Sequence, residues 1–105
     1  MFSVLYVTHP DEETARKLSR LLLEEKLIAC ANLFPIQSAY WWEGEVQTEG
    51  EWVSLLKTTS DLYPLVEQRL LKLHPYDTPC IIRTEVQANE SYERWIRESV
   101  VVPDQ

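Results

Sequence analysis

Residues 29–58 read A-C-A-N-L-F-P-I-Q-S-A-Y-W-W-E-G-E-V-Q-T-E-G-E-W-V-S-L-L-K-T, and this stretch decides the fold. Aromatic and β-branched side chains, which favour strands, stand on both sides of Glu43 and Gly44. Glycine readily adopts the positive φ that a tight turn needs, so we expect the chain to reverse at Gly44. The stretch therefore predicts a long β-hairpin.

Two residues in the arms of this hairpin disturb regular pairing, Pro35 and Gly50. The first arm is predicted as a strand over residues 28–34 that Pro35 interrupts, because proline has no N–H for the ladder, and it resumes over residues 38–42. The return strand is predicted over residues 45–58, with a bulge at Gly50. A hairpin that folds back on itself at both positions is the alternative to a straight one.

A straight hairpin would be longer than the domain that carries it. Arms of about 14 residues reach about 45 Å when extended, whereas a compact chain of this length has a diameter of about 34 Å. The tip is aromatic on both faces, because adjacent residues of a strand point in opposite directions. An exposed aromatic ribbon with open edges needs a cover, and self-association provides one. The predicted interface residues are Tyr40, Trp41, Trp42 and Trp52.

Apolar periodicity predicts further elements around the hairpin. They are a strand at residues 2–8, a helix opened by residues 10–13, a helix from residues 60–61 to residue 73, a strand at residues 79–86 and a helix from residue 89 through residue 96. Pro10 is expected in a first helical turn, where proline is tolerated. Ser60, Asp61 and Asn89 are expected to cap the later helices. The buried stripe of the second helix is predicted as Leu62, Leu65, Val66, Leu70 and Leu73.

The order strand, helix, strand, strand, helix, strand is typical of the α+β ferredoxin-like fold, a split βαβ arrangement. We expect a single domain over residues 1–105, with both helices on one face of an antiparallel sheet, a short C-terminal helix and a polar tail at residues 103–105. In such a sheet Cys30 and Cys80 lie on opposite edges, about 14 Å apart, which exceeds the reach of a disulfide. Both thiols are therefore predicted to be free.

The 105 residues carry a formal net charge of −7, from 17 acidic and 10 basic side chains. This balance repels a phosphate backbone, so nucleic acid is not an expected partner. The acidic surface either gathers cations or keeps the protein soluble. The sequence has no signal-peptide pattern and no apolar run of about 20 residues, which predicts a cytoplasmic protein without a membrane partner.

Several motifs occur together at compatible spacing along nearly the whole chain. They are Ala29-Cys30-Ala31-Asn32, Ser38-Ala39-Tyr40-Trp41-Trp42-Glu43-Gly44, Leu56-Lys57-Thr58-Thr59 and His74-Pro75-Tyr76-Asp77-Thr78-Pro79. With these motifs the chain resembles the CutA family of divalent-ion tolerance proteins. The resemblance implies a homotrimer whose long hairpins pair edge to edge, similar to the PII signalling proteins, with clefts between subunits. It implies that Cys30, Asn32, Lys57 and Tyr76 line such a cleft.

The resemblance also implies copper binding through a cysteine and histidines. Val7 stands where the family has its cysteine, and the histidine pair is reduced to Leu73 and His74. As a ligand, the His74 imidazole would suit copper(II) or zinc(II), with Cys80 or an acidic residue of a neighbouring subunit as a partner. As a structural residue, His74 would end its helix and bond the last carbonyls. His9 is interpreted as a polar residue of a strand-to-helix turn.

Catalytic signatures are missing from the sequence, since two glycines cannot form the usual phosphate-binding loops and no zinc-protease or serine-hydrolase motif occurs. An enzyme is therefore not predicted. The predicted function is divalent metal ion tolerance by a homotrimer that binds copper(II) or other divalent cations, with no metal required for folding. The alternative is a PII-like trimer that binds a small ligand or a partner in its clefts, or serves only as a structural assembly module.

Overall fold

The structure, a computed structural model, describes residues 1–102. Its elements, in chain order, are β1 (Phe2–His9), α1 (Glu12–Glu24), β2 (Cys30–Trp42), β3 (Glu45–Thr58), α2 (Tyr63–Leu73), β4 (Ile81–Val86) and α3 (Glu90–Ser99). The predicted order of elements is confirmed. The polar tail predicted at residues 103–105 lies outside the described residues.

The four strands form one antiparallel sheet in the order β2-β3-β1-β4. Helices α1 and α2 cover one face, called here the helix face, where Leu22 and Leu70 pack with Leu5 and Leu56 of the central strands. Successive side chains of a strand point to opposite faces. Phe2 therefore belongs to the other face, called here the second face, where α3 packs on one end of the sheet. This arrangement confirms the ferredoxin-like fold.

The β2–β3 hairpin is paired without interruption from Cys30 opposite Lys57 to Trp42 opposite Glu45. The interruption predicted at Pro35 is wrong, because β2 is an edge strand, and an edge tolerates proline where its nitrogen faces away from the ladder. The bulge predicted at Gly50 is also wrong, since the one-to-one register continues through this residue. The alternative of a folded-back hairpin fails with both of them.

The hairpin overhangs its own sheet, as predicted. Strand β1 ends opposite Trp52, so residues 45–51 of β3 lack a neighbour on that side. The longest dimension of the molecule is 45 Å, against 30 and 21 Å for the other two. The turn uses Glu43 at φ 50° and Gly44 at φ 80°, and two consecutive residues with positive φ match the twist of a hairpin.

The starts of α1 and α2 differ from the predictions in detail. Asp11, rather than a helical Pro10, opens α1 by accepting the N–H of Thr14 at 2.8 Å. Leu62 occupies the N-cap of α2 without a side-chain bond. The predicted capping residue Ser60 instead donates to Glu85 at 2.6 Å, because β4 lies within its reach.

The remaining differences concern helix faces and ends. Leu65, predicted in the buried stripe of α2, is exposed, whereas Leu62, Val66 and Leu70 are buried. At the start of α3, Asn89 stands at the N-cap, but its amide bonds Ser91 instead of the helix backbone. The helix α3 also continues beyond the predicted end, to Ser99.

Adjacent leucines of α2 provide a matched test of this packing. Leu70 is fully buried between α2 and the sheet, whereas Leu71 is 54% exposed. We expect Leu70→Ala to lower the free energy of unfolding by about 2–5 kcal/mol, because it leaves a cavity in the core. Leu71→Ala should change it by no more than about 0.5 kcal/mol. Urea denaturation of both variants measures the difference, and equal losses would contradict the burial of Leu70 against the sheet.

Candidate functional site

Two histidines lie stacked at the end of β1, under the start of the overhang. His9 is the last residue of β1 and is 1% exposed, so its reading as a polar turn residue is wrong. Its Nε2 and the hydroxyl of Ser54 on β3 are 2.8 Å apart, and its Nδ1 has no hydrogen-bond partner within residues 1–102. Burial first, and then His74, lower the pKa of His9 to about 4. His9 is therefore neutral at physiological pH.

The second histidine, His74, caps the C-terminus of α2 and is 8% exposed. Its ring stacks on that of His9, with centroids 5.2 Å apart. Its Nε2 donates to the carbonyl oxygen of Thr8 at 2.7 Å, and its Nδ1 accepts the N–H of Tyr76 at 3.1 Å. Both ring nitrogens are thus engaged. His74 ends its helix as predicted for a structural residue, but its ring bonds Thr8 of β1 and Tyr76 rather than the last carbonyls of α2. A metal ion at His74 would have to displace one of these bonds.

Donor atoms for a metal ion are sparse around His74. Cys80 immediately precedes β4, whose first residue, Ile81, pairs with Val7. Within residues 1–102, no three side chains of His, Cys, Asp or Glu are grouped so that they could hold a metal ion. The donors in this part of one chain therefore do not fit the three or four protein ligands of an ordinary transition-metal site.

Two tyrosine–glutamate pairs lie on the second face at the base of the overhang. The hydroxyl of Tyr76 donates to Glu51 at 2.7 Å, and that of Tyr40 donates to Glu49 at 2.5 Å. Burial, followed by the bond to Glu51, raises the pKa of Tyr76 above its usual range. Glu51 is only 8% exposed. Sequence reasoning missed both carboxylates, although their i, i+2 spacing on a strand was a signal that they share a face.

Three of the four predicted cleft residues lie together at the opposite end of the same face. Cys30 pairs with Lys57 across the ladder, and the ammonium of Lys57 donates to the side-chain oxygen of Asn32. The thiol of Cys30 and the hydroxyl of Tyr92 are 3.4 Å apart, a contact that raises the pKa of Tyr92 to about 12. Sequence reasoning had not assigned Tyr92 to this group, because α3 is distant in the chain.

The fourth cleft residue, Tyr76, is far from the others in the same chain. Its partner Glu51 lies six residues before Lys57 on β3. Six residues of extended strand span about 20 Å. One protomer therefore does not bring the whole predicted cleft together.

The aromatic residues predicted at an interface divide between the two faces. Trp41 is 74% exposed and Trp42 is 59% exposed, and they point to opposite faces as predicted. Tyr40 shares the second face with Trp42, whereas Trp52 is half-buried on the helix face, opposite His9. The tip therefore exposes an apolar surface on both sides.

Both cysteines are free thiols, as predicted. Cys30 begins β2 at one edge of the sheet, and Cys80 lies just before β4 at the other edge.

The Ser54–His9 contact is the kind that could activate a nucleophile, but these residues are 0% and 1% exposed, so a substrate cannot reach them.

Comparison with known proteins agrees with this architecture. The family model of the CutA1 divalent ion tolerance protein matches residues 3–99. The chain belongs to this family. It is 46% identical over 96 residues to the divalent-cation tolerance protein CutA of Pyrococcus horikoshii, covering 90% of this chain and 94% of that protein. The CutA protein of Thermotoga maritima is 44% identical, with 93% and 98% covered.

Solved structures of CutA proteins share the fold. A crystal structure of CutA1 from Pyrococcus horikoshii superimposes with a TM-score of 0.92 at 42% identity, covering 95% of this chain and 99% of that one. A PII-like protein CutA from a Nostoc species, in the apo form, gives a TM-score of 0.88 at 32% identity, with 96% and 98% covered. The fold is thus that of CutA1 and PII-like proteins.

None of the helices in residues 1–102 is both long enough and apolar enough to cross a membrane.

The buried His9 predicts a pH dependence of folding. Its pKa is about 4 in the folded chain against 6.5 for an exposed histidine, so the unfolded chain binds more protons between these values. The free energy of unfolding should therefore fall as the pH drops from 6.5 to 4, on the order of 2 kcal/mol from His9 alone. This contribution levels off about one pH unit below the folded pKa, where His9 is protonated in both states.

The variant His9→Gln isolates the effect, because glutamine can still bond Ser54 but does not titrate. Denaturation midpoints measured from pH 7 to pH 4 should decline less steeply for His9→Gln than for the natural sequence. Carboxylates such as Glu25, whose pKa is lowered by Arg69, contribute equally to the pH dependence of both proteins. Parallel curves would show that His9 does not carry the dependence.

Proposed function

We propose that this CutA protein acts in divalent-cation tolerance as a homotrimer. One observation carries the proposal: the overhanging hairpin exposes Trp41 and Trp42 on opposite faces and leaves two strand edges open. An isolated ribbon of this kind tends to aggregate, whereas a closed assembly covers it. Edge-to-edge addition of strands from further copies satisfies the unpaired backbone groups and buries the aromatic tip.

The proposal includes binding of copper(II) or another divalent cation between protomers. The CutA relatives of this chain are divalent-cation tolerance proteins. Residues 1–102 of one chain do not group three suitable donors, so a complete site built from them would need donors from more than one protomer. His74 and Cys80 remain the proposed donors. His74 would give up its bond to Thr8 or to Tyr76 on binding the ion.

Native mass spectrometry with and without copper(II) tests assembly and metal binding together. The expected species is three times the 12.4 kDa chain mass, and it should persist at micromolar concentration because the aromatic tip is covered only in the assembly. With copper(II) present, the mass of the trimer should increase by that of a fixed whole number of copper ions. A monomer at this concentration would contradict the homotrimer, and a trimer that takes up no ion would contradict the metal proposal alone.

The role of His74 is tested by His74→Ala in a copper titration. If its imidazole is a ligand, copper affinity should fall at least tenfold, about 1.4 kcal/mol. Affinity of the natural protein should weaken as the pH falls, since a protonated imidazole cannot bind the ion. Because the substitution also removes two internal hydrogen bonds, thermal unfolding of the apo variant must show a folded protein. An unchanged isotherm would exclude His74 as a ligand.

A second candidate function is that of a PII-like trimer whose clefts bind a small ligand. The engagement of both His74 nitrogens favours this candidate over a metal site, since the ring is already fully bonded. The structural neighbour from Nostoc is described as a PII-like protein. A trimer that binds no copper in the experiment above would favour the cleft ligand. A cytoplasmic location, expected from the sequence, is part of both proposals.

A further inference from the structure

Two carboxylates on the second face have no positively charged partner among residues 1–102. Glu49 and Glu51 share this face on β3, and their hydrogen bonds come from the phenols of Tyr40 and Tyr76. The ion pairs found in residues 1–102 include neither carboxylate. Glu51 is 8% exposed, and a buried carboxylate without a positive partner is unfavourable. A positive group from outside the chain would relieve this cost.

The same face carries a lysine that has no acidic ion-pair partner among residues 1–102. Lys57 lies near the other end of β3, and its ammonium donates only to the neutral side chain of Asn32. It takes part in none of the ion pairs found in residues 1–102. About 20 Å of strand separate it from Glu51. The two unpaired charges therefore cannot meet within one protomer.

We propose that Lys57 of each protomer pairs with the carboxylates of Glu49 and Glu51 of its neighbour in the assembly. The inference rests on the homotrimer proposed above and names the contact that forms its clefts. Each cleft then has a basic wall from one protomer, with Cys30 and Asn32, and an acidic wall from the next, with Tyr76. The four predicted cleft residues come together only between copies of the chain.

The charges on the second face favour a second copy of this chain as its binding partner. Glu49 and Glu51 lie toward one end of this face and Lys57 toward the other, so each protomer presents both members of the pair. Such a head-to-tail contact is heterologous, and it closes into a ring when the rotation between protomers allows it. The open edges of β2 and of residues 45–51 of β3 lie alongside these residues, so strand addition can bring them into register.

Charge exchange tests the pairing. Lys57→Glu and Glu49→Lys should each raise the concentration at which the assembly dissociates by at least tenfold, because each places like charges across the interface. The double variant restores one opposite-charge pair, between positions 57 and 49, and should dissociate at a lower concentration than either single variant. Lys72→Glu, on the exposed side of α2, makes the same change of charge away from the second face and should have no effect. Light scattering coupled to gel filtration over a dilution series measures all four.

The outcomes separate this pairing from the homotrimer itself. If the natural protein is monomeric, the homotrimer fails and the pairing fails with it. If the natural protein is trimeric but Lys57→Glu dissociates no more readily, or if both single variants weaken it and the double variant does not recover, only the pairing is overturned. Circular dichroism checks that each variant is folded, and Lys57→Gln provides a milder test should Lys57→Glu not fold.

Discussion

The unequal lengths of paired strands are the constraint on which the rest of the structure depends. Strands β2 and β3 have 13 and 14 residues, whereas β1 and β4 have 8 and 6. The helices cover only the part of the sheet that the short strands share, since the core contains Leu5 and Leu56 but no residue of the tip. About 23 Å of β3, residues 45–51, therefore extends without a neighbour on one side. That excess length favours an assembly over a monomer.

The histidine pair connects the compact part of the domain to this extension. His74 binds the backbone of β1 through Thr8, and its other nitrogen holds the N–H of Tyr76. Tyr76 in turn bonds Glu51, at the base of the overhang. The loop after α2 thus bridges the end of β1 and the free part of β3. This bonding explains a histidine-proline-tyrosine motif without a metal ion, which is why a copper role for His74 depends on titration rather than on geometry.

On the second face, β3 carries acidic side chains toward one end and a basic side chain toward the other. Glu49 and Glu51 lie at the base of the overhang, and Lys57 lies near the C-terminal end of the strand. Within residues 1–102 neither the carboxylates nor Lys57 has an ion-pair partner, and the proposed pairing between protomers would supply one to each. The net charge of −7 gives no indication of this arrangement, because it sums over a surface on which the positions of a few charges matter.

Sequence by itself determined the order of elements, the hairpin turn at Gly44, the overhang and the opposite orientation of Trp41 and Trp42. These features follow from local rules: apolar periodicity, positive φ and the alternation of side chains along a strand. Only the tertiary structure decided the uninterrupted pairing of β2 through Pro35, because tolerance of proline depends on whether a strand lies at an edge. It also decided the burial of His9 and the separation of Tyr76 from Lys57. These depend on which distant segments pair, and the partner of a side chain 45 or 25 residues away leaves no local pattern in the chain.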